Sequence, residues 1–572
     1  MKLGKKKVSK NRHKSIQTQL AQAGQLYQQR QWGATIDICQ KLLADNPNHA
    51  ETLNLLALTA LEVGDMNTAL ALIRQAIAAD GKCTAYYTNA AVILQRQGDL
   101  AQAAAMLKQA VALDASLVVA GLDLARLQLT IGDIDQADAV CDKLLISNAT
   151  NEDVWFISGL CKSALEQHEK SKEAFEKVLV LNPNHLDAIN NLAAIDYNLK
   201  SYNQAERMYT KGFELSPLHS AMQLGLAKSQ MRQLRMGEAE IHLKKILERE
   251  PANSEVRWQL SNLYQITQQF NVWHSFLEAS LAITGLEASI YEKLKVQQAM
   301  LCWIMGNYER CAEVVSQSKI ASFLSQEDRD ARNGWAYWLF LGFLVEYRKQ
   351  HVELYRGEGV PLHMVGDSHT LSYTGTVQTI AGKKRRLVAH LVVGCKAWHL
   401  AKAELVGGYN QYRYAFEKAV DQVPDGEEVV FCFGEIDCRA NEGFIKVWQK
   451  DGIDPKGSIE ETVCDYVAYV MEHCVRKKLK PFFYGVPAPA RDLSLLDQEG
   501  IRMLTGIICQ LNKTLSDEVR ERGAAFIDPY HLTSVIDGYS DGSYHLDDHH
   551  LKPEVLAKMP IASRVDAVEQ EK

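Results

Sequence analysis

The spacing of apolar residues along the chain changes once, near His351. Before that point the pattern is helical and repeats. Pro47, Pro183, Pro217 and Pro251 share one phase of 34 residues, and Gly81, Ala115 and Ala149 fill the intervening slots. With that slot as position 32, seven units begin at Ile16, Ala50, Thr84, Val118, Glu152, Leu186 and Ser220. Position 8 is then Ala23, Ala57, Ala91, Ala125, Gly159, Ala193 and Ala227, and position 20 is Thr35, Ala69, Ala103, Ala137, Ser171, Ala205 and Ala239. Each unit predicts two helices joined by a turn such as Val63-Gly64-Asp65 or Gln97-Gly98-Asp99. Small residues at the two inner positions let the helix backbones approach closely. Pro or a small residue at the slot ends the second helix. A weaker version continues over 254–330, with a turn at Met305-Gly306-Asn307-Tyr308, and an aromatic helix over 334–349 is expected to close the array.

After His351, short apolar runs predict strands at Pro361–Val365, Leu387–Val393, Val429–Phe433, Pro481–Tyr484 and Ala524–Ile527. Helical patterns at about 397–423, 459–479 and 494–521 separate them. Strands alternating with helices argue for a parallel sheet covered on both faces. In such sheets, functional sites gather at the carboxyl ends of the strands.

Composition then narrows the function classes. Hydrophobic residues make up 47% and charged residues 23% of the 572, as in an ordinary globular chain. The net charge of -7 disfavours a nucleic-acid-coating protein. The one basic cluster, Lys2, Lys5, Lys6, Lys7, Lys10, Arg12 and Lys14, reads as a disordered solvated tail over residues 1–15, and residues 561–572 read as a second tail. No apolar run follows the basic start, so no secretory signal is expected. The longest uncharged apolar run, Trp335–Val345, is shorter than the roughly 20 residues of a membrane span. The 12 Cys show neither paired nor metal-binding spacing, which points to reduced thiols and a cytoplasmic location.

The repeat resembles the tetratricopeptide family in its period and its small positions. The resemblance covers residues 16–253 strongly, with degenerate units and a capping helix over 254–350. It implies an α-solenoid whose groove takes a protein or peptide. The first helices of the units carry no basic stripe, which argues against a nucleic-acid ligand.

Three motifs lie at strand ends or in a late loop of the second half: Gly366-Asp367-Ser368-His369, Phe433-Gly434-Glu435-Ile436-Asp437-Cys438-Arg439, and Tyr544-His545-Leu546-Asp547-Asp548-His549-His550-Leu551. Their order and spacing resemble the SGNH (GDSL-type) hydrolase family over residues 360–560. That resemblance implies a three-layer α/β sandwich of flavodoxin-like kind, with Ser368 as nucleophile, His550 as base and Asp547 orienting the imidazole. The family draws one oxyanion N–H from a Gly of its second block, for which Gly394 is the natural match and Gly407 or Gly408 are poorer ones. Its third block supplies an Asn side chain, and here that position holds Ile436. Losing one such donor costs about 3–4 kcal/mol, so a compensating donor is required for efficient catalysis.

Arg439 is one candidate for that donor, and Glu435 and Asp437 are expected to line the same region. Alternatively, Glu435 and Arg439 form a structural ion pair. Asp367 is expected to support the turn by bonding backbone N–H groups. The implied substrates are small esters or glycan O-acyl esters, with no cofactor and no metal, and acyl transfer to an acceptor other than water is also open.

Two rival readings remain. A scaffold protein with a catalytically degenerate second half is favoured by Ile436. A metallophosphoesterase-like hydrolase would use Asp367, His369 and the His545–His550 cluster. The match of Gly538-Tyr539-Ser540-Asp541-Gly542 to a nucleophile elbow lacks the strand–turn–helix context and reads as a loop.

Overall fold

A computed structural model of the chain describes residues 2–323, 329–405, 407–490, 496–535 and 538–562. The expected C-terminal tail lies outside the described residues from position 563 onward. The chain divides into two compact units, Met1–Ile195 and Asp196–Lys572.

The first unit is helical throughout. It begins with the helix Lys2–Gln28, so the basic segment expected as a disordered tail is helical. Second helices of the units start at Trp32, Met66, Leu100, Ile134 and His168, and first helices at Ala50, Thr84, Val118 and Glu152, each 34 residues after its predecessor. The small positions lie inside the array: Ala57, Ala125, Thr35, Ala69, Ala103, Ala137 and Ser171 are all fully buried. At Gly159 a Cβ would stand 2.7 Å from the Phe175 ring.

The turn between paired helices has one fixed feature. Residues 30, 64, 98, 132, 166, 200, 234 and 268 all have positive φ, from 56° to 89°. Gly64, Gly98 and Gly132 meet this demand without strain, whereas Arg30, Glu166, Lys200, Leu234 and Gln268 adopt the left-handed conformation against their Cβ.

In the second unit the period persists where the sequence pattern fades. Helices begin at Tyr202, Ser220, Met236, Ser254, Phe270 and Ala288. The helices at Ser254, Phe270 and Ala288 thus keep the 34-residue register of the rest. The helices Tyr308–Gln317 and Arg329–Gln350 follow.

A seven-stranded sheet comes next: β1 Val360–Gly366, β2 Val377–Ile380, β3 Lys383–Leu391, β4 Glu428–Cys432, β5 Lys480–Tyr484, β6 Ala525–Ile527 and β7 Ile561–Ala562. The order is β2-β3-β1-β4-β5-β6-β7. The five inner strands run parallel, while β2 and β7 pair antiparallel at the two edges. The sheet is therefore mixed, which corrects the expectation of a parallel one. The missed β2 forms a hairpin with β3 across Ala381 and Gly382, both at positive φ. Its partner residues Lys383-Lys384-Arg385-Arg386 are too polar to register as a strand, yet Arg385 pairs across the sheet with Glu428.

Side chains alternate between two cores. One face holds Val365, Phe431, Phe483 and Phe526 against the helices Gln411–Asp421, Lys456–Lys477 and Gln498–Glu521. The other holds Met364, Val430, Tyr484 and Ile527 with Tyr373, Leu551 and Leu556. A third core joins Trp303, Phe340 and Leu344 of the helical segment to Leu371 and Leu391. The helices beyond residue 196 thus share apolar contacts with the sheet, and the division into compact units falls within the repeats and not at the 350–360 junction.

Candidate active site

β1 ends at Gly366, between the ends of β3 and β4. Asp367 N–H donates to the Cys432 carbonyl at 3.2 Å, and Val392 N–H donates to the Gly366 carbonyl at 2.7 Å. A Cβ at Gly366 would collide with the Cys432 carbonyl oxygen, so only glycine lets the strands stay paired here. The chain then turns sharply. Asp367 Oδ1 accepts the His369 N–H at 3.0 Å, which is the turn-supporting role expected for it. Ser368 precedes a helix of only five residues, His369–Tyr373, so a dipole contribution there is small.

The late loop closes over this point. Ser368 Oγ lies 2.8 Å from His550 Nε2, and His550 Nδ1 lies 2.8 Å from Asp547 Oδ2. Asp547 Oδ1 also accepts the backbone N–H groups of His549 and His550, at 2.8 and 2.7 Å. Burial opposes the Asp547 charge, but the His550 imidazole and these N–H donors outweigh it and hold the carboxyl well below the usual range. Burial also pulls His550 below its ordinary value, partly offset by Asp547. The imidazole is therefore neutral at neutral pH and is held in a fixed orientation. Its ring is covered by Phe340, whose centroid is 3.6 Å away.

His369 forms a second polar centre. Its Nδ1 is 2.9 Å from Asp367 Oδ1 and its Nε2 is 3.0 Å from the His549 carbonyl. Both partners are acceptors, so both ring nitrogens carry protons. Burial works against that charge, yet the Asp367 carboxylate raises the group to about 9. Asp367, His369 and Glu435 are the described residues whose ligand atoms come within 4.8 Å of one another, the arrangement a cation would need. A metal there would have to displace a proton and an oxygen partner from His369.

The second motif divides its residues among other tasks. Arg439 Nε lies 3.1 and 2.8 Å from the two Glu435 oxygens, and His549 Nδ1 lies 3.2 Å from the same carboxylate. Burial disfavours the Glu435 charge, but Arg439 and His549 hold its pKa well below the ordinary value. The structural ion pair is thus present, and the guanidinium expected to meet an oxyanion is engaged by Glu435. Asp437 corrects another expectation: its carboxylate receives the N–H groups of Ala397 and Trp398, at 2.8 and 3.4 Å, and so caps the helix Ala397–Ala401. Burial raises it to about 7. Ile436 is buried and offers no donor.

Gly394 follows β3 at φ +64, and its N–H faces the hydroxyl of Tyr337. Gly407 sits elsewhere, against Tyr202. Ser540 hydrogen-bonds to His545 Nδ1 at 2.9 Å, but it lies in an irregular loop, as expected of that motif. A cavity of about 420 Å³ reaches Gly394 and is lined by Arg232, Trp258, Asn262, Gln297 and Tyr337. Sequence reasoning missed Tyr337 and Phe340. The sequence pattern gives their helix only a capping role, and no spacing links it to Ser368.

Among the described residues, no helix is long and apolar enough to cross a membrane. No curated protein matches the chain. The chain is similar to solved repeat proteins. One is a tetratricopeptide repeat protein from Parabacteroides merdae, at 17% identity over 45% of this chain and 98% of that one, with a TM-score of 0.37. Another is the C-terminal part of a TPR repeat-containing protein from Cytophaga hutchinsonii, at 20% identity over 41% and 97%, with a TM-score of 0.36. A third is MamA from Desulfovibrio magneticus, at 19% identity over 30% and 96%, with a TM-score of 0.28. Family models described as tetratricopeptide repeat match residues 54–118, 94–156 and 152–185. Residues 54–185 of this chain carry tetratricopeptide repeats.

Proposed function

We propose that residues 360–560 form an SGNH-type serine hydrolase that cleaves carboxylic esters through an acyl-enzyme. The observation that carries this reading is the hydrogen-bonded chain Ser368–His550–Asp547, with both links at 2.8 Å. Three groups on the carboxyl side of one sheet, joined in that order, have the connectivity of a nucleophile, a base and an orienting carboxylate. The inner strands support the fold assignment. Numbered among themselves along the chain, the five parallel strands run 2-1-3-4-5, the flavodoxin-like order of a three-layer sandwich.

In this mechanism Ser368 Oγ attacks the ester carbonyl carbon while its proton passes to His550 Nε2. The tetrahedral intermediate collapses, and the alcohol leaves with that proton. Water then attacks the acyl-Ser368 carbonyl, giving its proton to His550, and the carboxylic acid departs as the Ser368 hydroxyl is restored. Asp547 stabilises the imidazolium formed in each half. The N–H groups of Ser368 and Gly394 receive the negative oxygen. The cavity beside Gly394, with its amides and its Trp258 face, suits a small or glycan-borne ester. All twelve cysteines are free, which suits a reducing, cytoplasmic setting.

The test is hydrolysis of p-nitrophenyl acetate by the full chain, with covalent labelling by a fluorophosphonate. Ser368→Ala is expected to abolish both while circular dichroism stays unchanged. Equal turnover by the two forms would reject the assignment.

A second reading is a scaffold whose α/β half is catalytically degenerate, favoured by Ile436 in the Asn position. In either case the repeats at 54–185 are proposed to take a protein or peptide, as solenoid surfaces do. Specific capture of a partner by the full chain, lost when surface residues of the repeats are changed, would support that role.

A further inference from the structure

We propose that Tyr337, on the helix Arg329–Gln350, supplies the oxyanion donor that Ile436 cannot. This rests on the serine-hydrolase reading above. The helix belongs to the helical segment, yet it is built into the catalytic face. Trp338 Nε1 donates to the Val315 carbonyl at 2.8 Å, and Trp303 Nε1 of the neighbouring helix donates to the Leu371 carbonyl at 2.9 Å, one turn beyond Ser368. Tyr347 bonds to Glu554. Positions three apart on a helix share a face. Phe340 lies flat on His550, with 16° between the ring planes, and Tyr337, one turn earlier, reaches Gly394.

The placement matters because Gly394 N–H is the proposed backbone donor. Tyr337 lines the same cavity as Gly394 and faces that N–H, so its oxygen stands beside the point where the carbonyl oxygen of a substrate would arrive. When the tetrahedral intermediate forms, Gly394 N–H turns to the oxyanion, and the Tyr337 O–H donates to the same atom. Tyr337 and Gly394 line one cavity, so substrate entering it meets both. Burial and the nearby Asp367 carboxylate push the phenol up, so its proton is retained across the working range. The other side chains at hand are committed elsewhere: Arg439 is held by Glu435, and both His369 nitrogens face oxygens.

The experiment compares wild type with Tyr337→Phe in the full chain. It measures p-nitrophenyl acetate kinetics, inhibition by an alkyl boronate that mimics the tetrahedral intermediate, and fluorophosphonate labelling. Loss of one oxyanion donor lowers kcat by about 10²–10³. The expected result is a kcat drop of that order with KM little changed, boronate affinity weakened in step, and Ser368 still labelled, more slowly. If wild type turns over ester while Tyr337→Phe is equally fast, faster, or binds boronate as tightly, the proposal is overturned. If wild type itself neither hydrolyses ester nor labels at Ser368, the hydrolase reading falls first and this inference with it.

Discussion

The imidazole of His550 and the ring of Phe340 lie face to face, 3.6 Å apart at 16°. Phe340 is 2% exposed, so the stack seals one side of the proposed base from water. Burial is the leading cause of the lowered His550 pKa. Proton acceptance requires the neutral ring. Activity is therefore expected to rise with pH through a midpoint below the ordinary 6.5 and to stay level up to the region of 9, where His369 loses its charge. Phe340→Leu, which removes the stack, is expected to move the acid midpoint upward. The pH profile of kcat/KM checks both.

Among the described residues, Asp547 bonds to the outer nitrogen of His550 and to the adjoining backbone N–H groups, so a substitution there is expected to leave Ser368 in place. Asp547→Asn is expected to lower kcat by about 10³–10⁴ with little effect on KM, because an amide no longer stabilises the imidazolium. Its charge raises the His550 pKa, so the acid limb is also expected to shift to lower pH. An unchanged limb would mean that the carboxylate serves only the backbone.

Glu166 holds a positive φ of 57° at the turn position where three other units place glycine. Glu166 is exposed. Glu166→Gly relieves the left-handed strain and is expected to stabilise the chain by about 0.5–1 kcal/mol. Urea unfolding of the two proteins measures it, and a destabilised variant would contradict the argument.

Thermal stability is expected to peak near neutral pH. His390, His399 and His545 are pulled down to about 3, 4 and 4, in each case first by burial. Between those values and the unfolded value near 6.5, only the unfolded chain takes up these protons, so stability falls as the pH drops. Asp437, raised to about 7, works in the opposite sense over the acid range, one group against three. His369, raised to about 9, contributes stability below the unfolded value, and that contribution is lost as pH rises toward 9. Melting temperature against pH tests the shape. A His390→Asn variant, free of the largest of the three shifts, is expected to lose less on acidification.

The repeat was legible because its determinants are local. A small residue at position 8 or 20 needs only its helix partner, and the eight left-handed turns recur at the same spacing because each joins the same two helices. The inner strands were legible as apolar runs buried on both faces. β2 was not, because an edge strand needs apolar residues on one side only, and the basic run Lys383–Arg386 hid the hairpin. The sequence also showed a hydroxyl, a carboxylate and an imidazole in a suggestive order. It could not show that Asp437 would turn away to cap a helix or that Glu435 would take the Arg439 guanidinium.

By itself, then, the sequence determined the period, the helix pairs, the inner strands and the types of group available for chemistry, since these follow from residue spacing along one element. Tertiary structure alone decided which groups meet. It brought Ser368 within 2.8 Å of His550, and it laid Phe340 and Tyr337 of a distant helix over the same end of the sheet. Contacts between elements depend on where apolar faces pack together, and nothing in the local spacing of either partner encodes that choice.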